Sequence, residues 1–377
     1  MAKIILRGYY GFGNLGDDIL MITSYQIIKG VFPSPKVHIS SESATSEYIS
    51  KLVDVESVIS SSTKFKADWI VHGGGGIYFD FKEGSSFYKL LNLLIRKTGF
   101  KWYSFFYNVL LKIFGKNHLE YRHRLGLGIG VGRFTYSSKK FHKSILSLSS
   151  YDFLLVRDQQ SFDNLEKYNF DYPVFKSTDL VFNRKAWLQN FTISNAKSTD
   201  IAIILRDWSF DNHFHVERFL SSIKELKDKG YSLKFFSFDA KADEHYIQSI
   251  KQLSISIMIW SPDKMSLNDF IGQLNECRFT ITSRAHGAII SACLGIPGLC
   301  IEIEPKLRTV QAMLGTSYSL VPNDFTTSLL AKKVEESFDK LDELKNNTIK
   351  DVEFNEKRIK SDLVMVKEHL SKYEQKD

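Results

Sequence analysis

From about residue 200 onward the chain alternates short apolar runs with amphipathic stretches, and this alternation limits the fold more than any other feature. The apolar runs at 200–206 (DIAIILR), 232–238, 255–260, 277–282 (CRFTIT) and 298–304 read as strands. Between them, 214–229, 243–253, 267–276 and 285–294 have helical spacing. Strands that follow one another through helices form a parallel sheet with both faces covered, because a parallel pair needs a crossover connection. The first half repeats the pattern, with strands expected at 3–8, 36–42, 67–72, 124–131 and 151–157 and helices at 17–32 and 159–168. At 377 residues the chain exceeds what one hydrophobic core usually serves. The expected architecture is α/β, with two doubly wound Rossmann-like domains facing a cleft. They are placed at 1–183 and 200–324, joined by a polar linker at 184–199 and followed by a charged helical tail at 325–377.

Composition narrows the class. With 43% hydrophobic and 25% charged residues, the chain reads as a soluble globular protein rather than a fibrous or disordered one. Cys277, Cys293 and Cys300 lack CxxC spacing and sit in apolar contexts, so they read as buried thiols of a reducing compartment. The amino terminus enters a strand at once, which reads as a chain without a signal peptide. The localisation expected is cytoplasmic, with peripheral contact at the inner membrane face left open. Twelve Lys and Arg against one acid, Glu120, give residues 84–143 a charge of +11, so the rest of the chain carries 7 − 11 = −4. Within that region, 84–118 mixes leucine and aromatic residues with basic ones. Its apolar runs are too short to span a bilayer. It would suit one or two amphipathic helices touching an anionic membrane or a lipid-linked substrate across 84–124. A helical pair packed on the core with its lysines in water accounts for the same pattern. Nucleic-acid binding is not expected, since no recognition module accompanies the charge.

The candidate chemistry lies at strand ends. Residues 280–287 (TITSRAHG) place Ser283, Arg284 and His286 where a strand ends and a helix begins. Ligands of open α/β sheets bind there, because backbone amides and the positive helix end converge. An arginine and a histidine at that point suit an anionic substrate and a proton to move; capping of the loop alone is the competing account. Arg206 ends the first strand of the second half, Lys306 follows the last, and Arg157 ends the strand 151–157. In the opening loop GYYGFGNLGDD, Gly11, Gly13 and Gly16 match GxGxxG. Asp17 and Asp18, however, stand where a pyrophosphate would lie, which argues against a dinucleotide. Glycines with carboxylates suit neutral hydroxyls better, so Gly13, Asn14, Asp17 and Asp18 are candidates on the acceptor side. Helix capping competes for the two acids. Four glycines at 73–76 mark a sharp turn or a close ligand approach, with Gly74 and Gly75 as candidate contacts. No HxxE or DxD pattern suggests a metal, and none is expected.

Taken in order, GYYGFGNLGDD, HGGGG at 72–76, VRDQQS at 156–161, STD at 177–179, IILRDW at 203–208, ITSRAHG at 281–287 and EPKLRT at 304–309 resemble the polysaccharide pyruvyl transferase family. The resemblance runs over nearly the whole chain. It departs where the family reads QGIGP and this chain reads LGIGV at 127–131, and in the long aromatic, basic stretch at 84–124. It implies a fold like that of two-domain (GT-B-like) glycosyltransferases. It also implies transfer of the enolpyruvyl unit of phosphoenolpyruvate onto a sugar of a cell-surface polysaccharide or its precursor, as a cyclic ketal. No cofactor is implied; phosphoenolpyruvate is the donor substrate, and the partner is a sugar acceptor that a lipid could carry. Matched residue by residue, Arg157, Arg284 and Lys306 would hold the anionic groups, with Arg206 as helper. His286 would protonate the methylene carbon, and an adjacent phosphate would favour its charged form. Asp17 or Asp18 would orient or deprotonate the acceptor. A nucleotide-sugar glycosyltransferase of the same two-domain shape is the alternative, and a non-catalytic scaffold is a weaker one.

Overall fold

The computed structural model describes residues 1–41, 46–60, 63–79, 119–132, 134, 138–166, 168, 170–189, 191–193, 197–206 and 216–374. The chain forms two compact units that do not follow its order. The first comprises Met1–Tyr10, Leu20–Leu180 and Asp362–Asp377; the second comprises Gly11–Ile19 and Val181–Ser361. A single cut at a 184–199 linker would leave residues 11–19 in the first half. In the structure they group with the second unit.

The first unit holds a sheet of β1 (Lys3–Arg7), β2 (Lys36–Ser40), β3 (Ser57–Ile59), β4 (Phe65–Tyr78), β5 (Leu119–Val131), β6 (Phe153–Val156) and β7 (Val174–Lys176). Its spatial order is β3-β2-β1-β4-β5-β6-β7, and the paired strands run parallel. This is the doubly wound order, with the reversal between β1 and β4. Ile4, Ile5 and Leu6 are fully buried, as a strand covered on both faces requires. Helices α1 (Leu15–Val31), α2 (Ser46–Ser50), α3 (Lys139–Leu148) and α4 (Gln159–Glu166) belong to the same half of the sequence.

The second unit repeats the design with β8 (Thr199–Ile204), β9 (Leu233–Ser237), β10 (Ser256–Ile259), β11 (Cys277–Thr282), β12 (Gly298–Glu302) and β13 (Tyr318–Pro322). The order is β10-β9-β8-β11-β12-β13, again all parallel, so its reversal falls between β8 and β11. The helices are α5 (Arg184–Trp187), α6 (Val216–Asp228), α7 (Glu244–Gln252), α8 (Leu267–Asn275), α9 (Ala285–Cys293), α10 (Lys306–Met313), α11 (Thr327–Phe338) and α12 (Leu341–Glu374). Helix α9 is buried almost all round, which accounts for its Ala, Gly and Ser content. A Cβ at Gly287 would overlap Thr282 Oγ1 and lie 3.0 Å from Ile204 Cγ2, so α9 rests directly on the sheet.

Several local expectations change. Residues 73–76 are strand, not a sharp turn. β4 runs through them and pairs with β5 past Gly76, with an irregularity before Tyr78. The missing side chains make room for α1, since a Cβ at Gly74 would lie 2.5 Å from Leu20 Cδ2 and one at Gly73 would run into Ser24 and Tyr10. The stretch read as a linker contains α5, whose Trp187 is buried and donates to Val181 O at 2.7 Å. Strands β3, β7 and β13 were not expected; all three are edge strands, β3 and β7 of three residues each, too brief for periodicity to register, and β13 (YSLVP) with polar residues among the apolar ones. The basic segment 84–118 lies outside the described residues, while 119–124 is part of β5. Arg124 is a core residue there. It is buried 4.2 Å over the Tyr151 ring, with Nη1 donating to Ser147 O at 2.9 Å and Nη2 to Tyr78 Oη at 3.2 Å. The three cysteines are free and buried, and burial pushes the Cys277 and Cys300 thiols up to about 12.

Candidate active site

The carboxyl ends of β8, β11 and β12, together with the first turn of α1, assemble one cluster within the second unit. Thr282 pairs in register with Ile204, so both chains leave the sheet side by side at the topological reversal. Ser283 then ties the two exits together. Its Oγ accepts from Arg206 N at 2.8 Å and donates to Arg206 O at 3.1 Å. This fully buried hydroxyl serves the backbone, not a ligand. Thr282 Oγ1 accepts from Arg284 N at 2.9 Å and so fixes the residue that precedes α9.

Arg284 is buried, and its guanidinium faces inward. Nε donates to Leu205 O at 2.8 Å and Nη2 to Asp243 Oδ1. Burial pushes the Asp243 carboxyl up and the Arg284 pairing pulls it back. As the N-cap of α9, Arg284 provides no side-chain acceptor for the first-turn amides. A guanidinium has only donors, so the positive end of α9 is not neutralised by its own N-cap side chain. Arg206 and Lys306 share a buried carboxylate: Glu304 Oε1 lies 3.6 Å from Arg206 Nη1 and 3.9 Å from Lys306 Nζ. Both cations remain partly exposed, which is where a charged ligand can reach them.

The glycine-rich loop comes to this cluster from the far end of the chain. Leu15 N donates to Phe238 O at 2.9 Å, and Asn14 bridges to Asp239, so the loop is tied to the exit of β9. Asn14 Oδ1 caps α1, accepting from Gly16 N at 3.0 Å and from Asp17 N at 3.5 Å. Asp18 N donates to Asn14 O at 2.9 Å. All four first-turn amides therefore have acceptors, and this turn is not built as a phosphate cradle. Asp17 is half-buried. Burial pushes its carboxyl above the usual range, while attraction to His286, Lys306, Arg206 and Arg284 acts the other way. Asp18 faces elsewhere, buried against Trp260, whose Nε1 donates to Asp18 Oδ2 at 2.8 Å. His286 stands over Gly16, close enough that a Cβ there would lie 2.8 Å from its Cγ. Gly13 adopts φ +78°, a backbone reason to be glycine, and nothing lies within 4 Å of where its Cβ would be.

The structure thus gathers Asp17, Arg206, Arg284, His286 and Lys306. It gives Ser283, Asn14 and Asp18 structural partners. The remaining candidates belong to the first unit. Arg157 is buried beside Asp158 (Nε to Oδ2, 3.2 Å), with Asp179 3.8 Å from Nη1. It lies against Gly130 and Gly76: a Cβ at Gly130 would be 2.7 Å from Arg157 Cζ. Gly74 and Gly75 have φ of +22° and +97°, next to α1 and β5. Behind them His72 is buried against Arg124, and burial followed by that guanidinium holds its imidazole well below its usual range. Sequence reasoning missed Asp243, Glu304 and Trp260. Glu304 opens the EPKLRT motif and could have been found; Asp243 begins an expected helix and Trp260 ends an expected strand, and nothing local names their partners. Among the described residues no three His, Cys, Asp or Glu side chains gather as a metal site, and no helix is long and apolar enough to cross a membrane.

Comparison with known proteins matches the sequence to a family. A model of the polysaccharide pyruvyl transferase family matches residues 14–305. No curated protein matches the sequence. Among solved structures, a UDP-GlcNAc 2-epimerase from Neisseria meningitidis bound to UDP-GlcNAc has a TM-score of 0.55 at 14% identity, over 98% of this chain and 100% of that one. A UDP-GlcNAc 2-epimerase from Methanocaldococcus jannaschii, in complex with UDP-GlcNAc and UDP, has 0.54 at 13% identity, over 88% and 91%. At such identities the likeness is one of fold, the GT-B fold of two Rossmann-like domains. The matched residues take in the turn at Asn14 and the strand ends that carry Arg206, Arg284 and His286, and the chain belongs to the polysaccharide pyruvyl transferase family of transferases.

Proposed function

We propose that the protein transfers the enolpyruvyl unit of phosphoenolpyruvate onto a sugar hydroxyl, forms a pyruvate ketal and releases phosphate. The observation that carries this reading is the convergence of His286, Arg206 and Lys306 on the half-buried Asp17 in one unit. Phosphoenolpyruvate has a phosphate and a carboxylate, and Arg206 and Lys306 supply fixed positive partners, with the positive end of the α9 dipole favouring an anion beside them. Arg284 acts from behind, since Asp243 and Leu205 O hold its guanidinium.

In the reaction, His286 donates its proton to the methylene carbon, which becomes a methyl group as the adjacent carbon takes on oxocarbenium character. A sugar hydroxyl attacks that carbon, and its proton passes to the Asp17 carboxylate. A second hydroxyl attacks the same carbon and its proton restores the His286 imidazolium; the bond to the phosphate oxygen breaks, and phosphate leaves with the electron pair and takes up the proton held by Asp17. Positioned acid–base catalysis of this kind is worth on the order of 10²–10⁴ in rate. The acceptor is a sugar of a surface polysaccharide or its precursor, and a lipid-linked precursor fits the basic, aromatic composition of 84–118. The test compares donors. Phosphate released from phosphoenolpyruvate with a panel of lipid- and nucleotide-linked sugar acceptors supports the reading. Nucleoside diphosphate released from an activated sugar, with no phosphate from phosphoenolpyruvate, would make the protein a glycosyltransferase instead.

A further inference from the structure

Gly16 has no backbone reason to be glycine. It lies in the first turn of α1, outside the left-handed region that favours glycine. A helical glycine is less stable than alanine, so something else must keep it. The three atoms nearest to a Cβ built at this position all belong to His286. That Cβ would overlap Nδ1 and lie 2.8 Å from Cγ and 2.9 Å from the histidine Cβ. Real Cβ atoms do not approach so closely, so with any larger residue one partner has to move.

Neither backbone is free to move far. The α1 turn is held by Leu15 N to Phe238 O, by the Asn14 cap and by Trp260 on Asp18. Helix α9 is held by Gly287 against Thr282 and Ile204, and by Thr282 Oγ1 on Arg284 N. The part that moves most is the imidazole, which turns about its two side-chain torsions and clears the contacts at Nδ1 and Cγ; the 2.9 Å approach to the histidine Cβ asks only a few tenths of an ångström of the helices. We propose that Gly16 is a positioning residue for His286: the bare turn is the seat that sets the direction of the ring. The inference rests on His286 being the proton donor of the proposed reaction, and it gives the GxGxxG-like loop a purpose other than phosphate binding.

Two measurements test it. In the first, Gly16→Ala is assayed by phosphate release from phosphoenolpyruvate with a sugar acceptor. Deuterium exchange into the methylene group of phosphoenolpyruvate in heavy water gives an acceptor-independent reading. Displacing a catalytic group by about 1 Å costs on the order of 10²-fold in rate, so kcat and exchange should fall by that order. KM for phosphoenolpyruvate should stay within about threefold, because the anion-binding groups are untouched. In the second, thermal melting is compared for Gly16→Ala in the wild type and in His286→Ala. The substitution should lower Tm by more when the imidazole is present than when it is gone, because His286→Ala removes the two ring contacts and leaves only the Cβ at 2.9 Å, a coupling expected only of residues in contact. The same Tm change in both backgrounds, or unaltered kcat and exchange in an active Gly16→Ala protein, overturns the proposal. If wild-type protein turns over no phosphoenolpyruvate, the proposed reaction fails, while the melting cycle still decides whether Gly16 seats the ring.

Discussion

His286, Arg206 and Lys306 occupy one cluster, yet they are expected to fail in different ways. His286→Ala should lower turnover of phosphoenolpyruvate by on the order of 10²–10⁴ while its binding weakens far less. Arg206→Ala or Lys306→Ala should chiefly weaken binding, since each removes a positive partner from an anion. Steady-state kinetics with calorimetry separates the two classes, and deuterium in the product methyl group checks the protonation step. Asp17 gives a pH-dependent prediction. Its carboxyl is raised by burial, so the folded protein holds this proton at pH values where the unfolded chain, near 3.8, has lost it. Stability from this group is therefore present at low pH and lost as pH rises through the raised folded value. Asp17→Asn removes that loss: the variant should melt higher than wild type near about pH 7, and the gain should vanish below about pH 4, where both forms are protonated. A gain that persists in acid would mean that burial of the charge is not what Asp17 costs the fold.

At the scale of elements, the α1 turn shows how a sequence motif can be legible in outline and misleading in meaning. Glycine spacing at Gly11, Gly13 and Gly16 suggests a phosphate loop and Asp17 with Asp18 argues against one; the structure agrees with the acids, since Asn14 closes the turn as a cap and the first-turn amides are all used. Asn14→Ala should cost about 0.5–2 kcal/mol of stability, measured by denaturant unfolding. Asn14→Ser, which keeps a side-chain acceptor, should recover most of it. If both variants unfold like wild type but lose affinity for a sugar acceptor, Asn14 is a ligand contact and its cap is incidental. The four glycines of β4 read as a sharp turn or a close ligand approach; for Gly73 and Gly74 what comes close is Leu20, Ser24 and Tyr10 of the same unit. Such partners lie 49 to 63 residues away in sequence, and no local pattern names them.

For the whole molecule, the division into units makes a prediction of its own. The proposed site belongs to the unit that contains residues 11–19 and 181–361, so phosphoenolpyruvate should raise the melting of that unit first. At about a hundred times its dissociation constant the ligand stabilises by roughly 2.7 kcal/mol, enough to resolve by scanning calorimetry. An unshifted endotherm at saturating phosphoenolpyruvate would count against the proposed donor. The amino-acid sequence by itself determined the doubly wound class, because buried parallel strands must be continuous apolar runs such as Ile201–Ile204 and their crossovers must be helices. It also marked Arg284, His286 and Lys306, because strand ends are readable from where hydrophobicity stops. Tertiary structure decided the rest. It turned Arg284 onto Asp243, buried Asp18 under Trp260, set Glu304 between two cations, and carried residues 11–19 into the second unit. Partners of buried charges are chosen by proximity in the folded core, where an unmatched charge is costly, and that proximity is not written in local spacing.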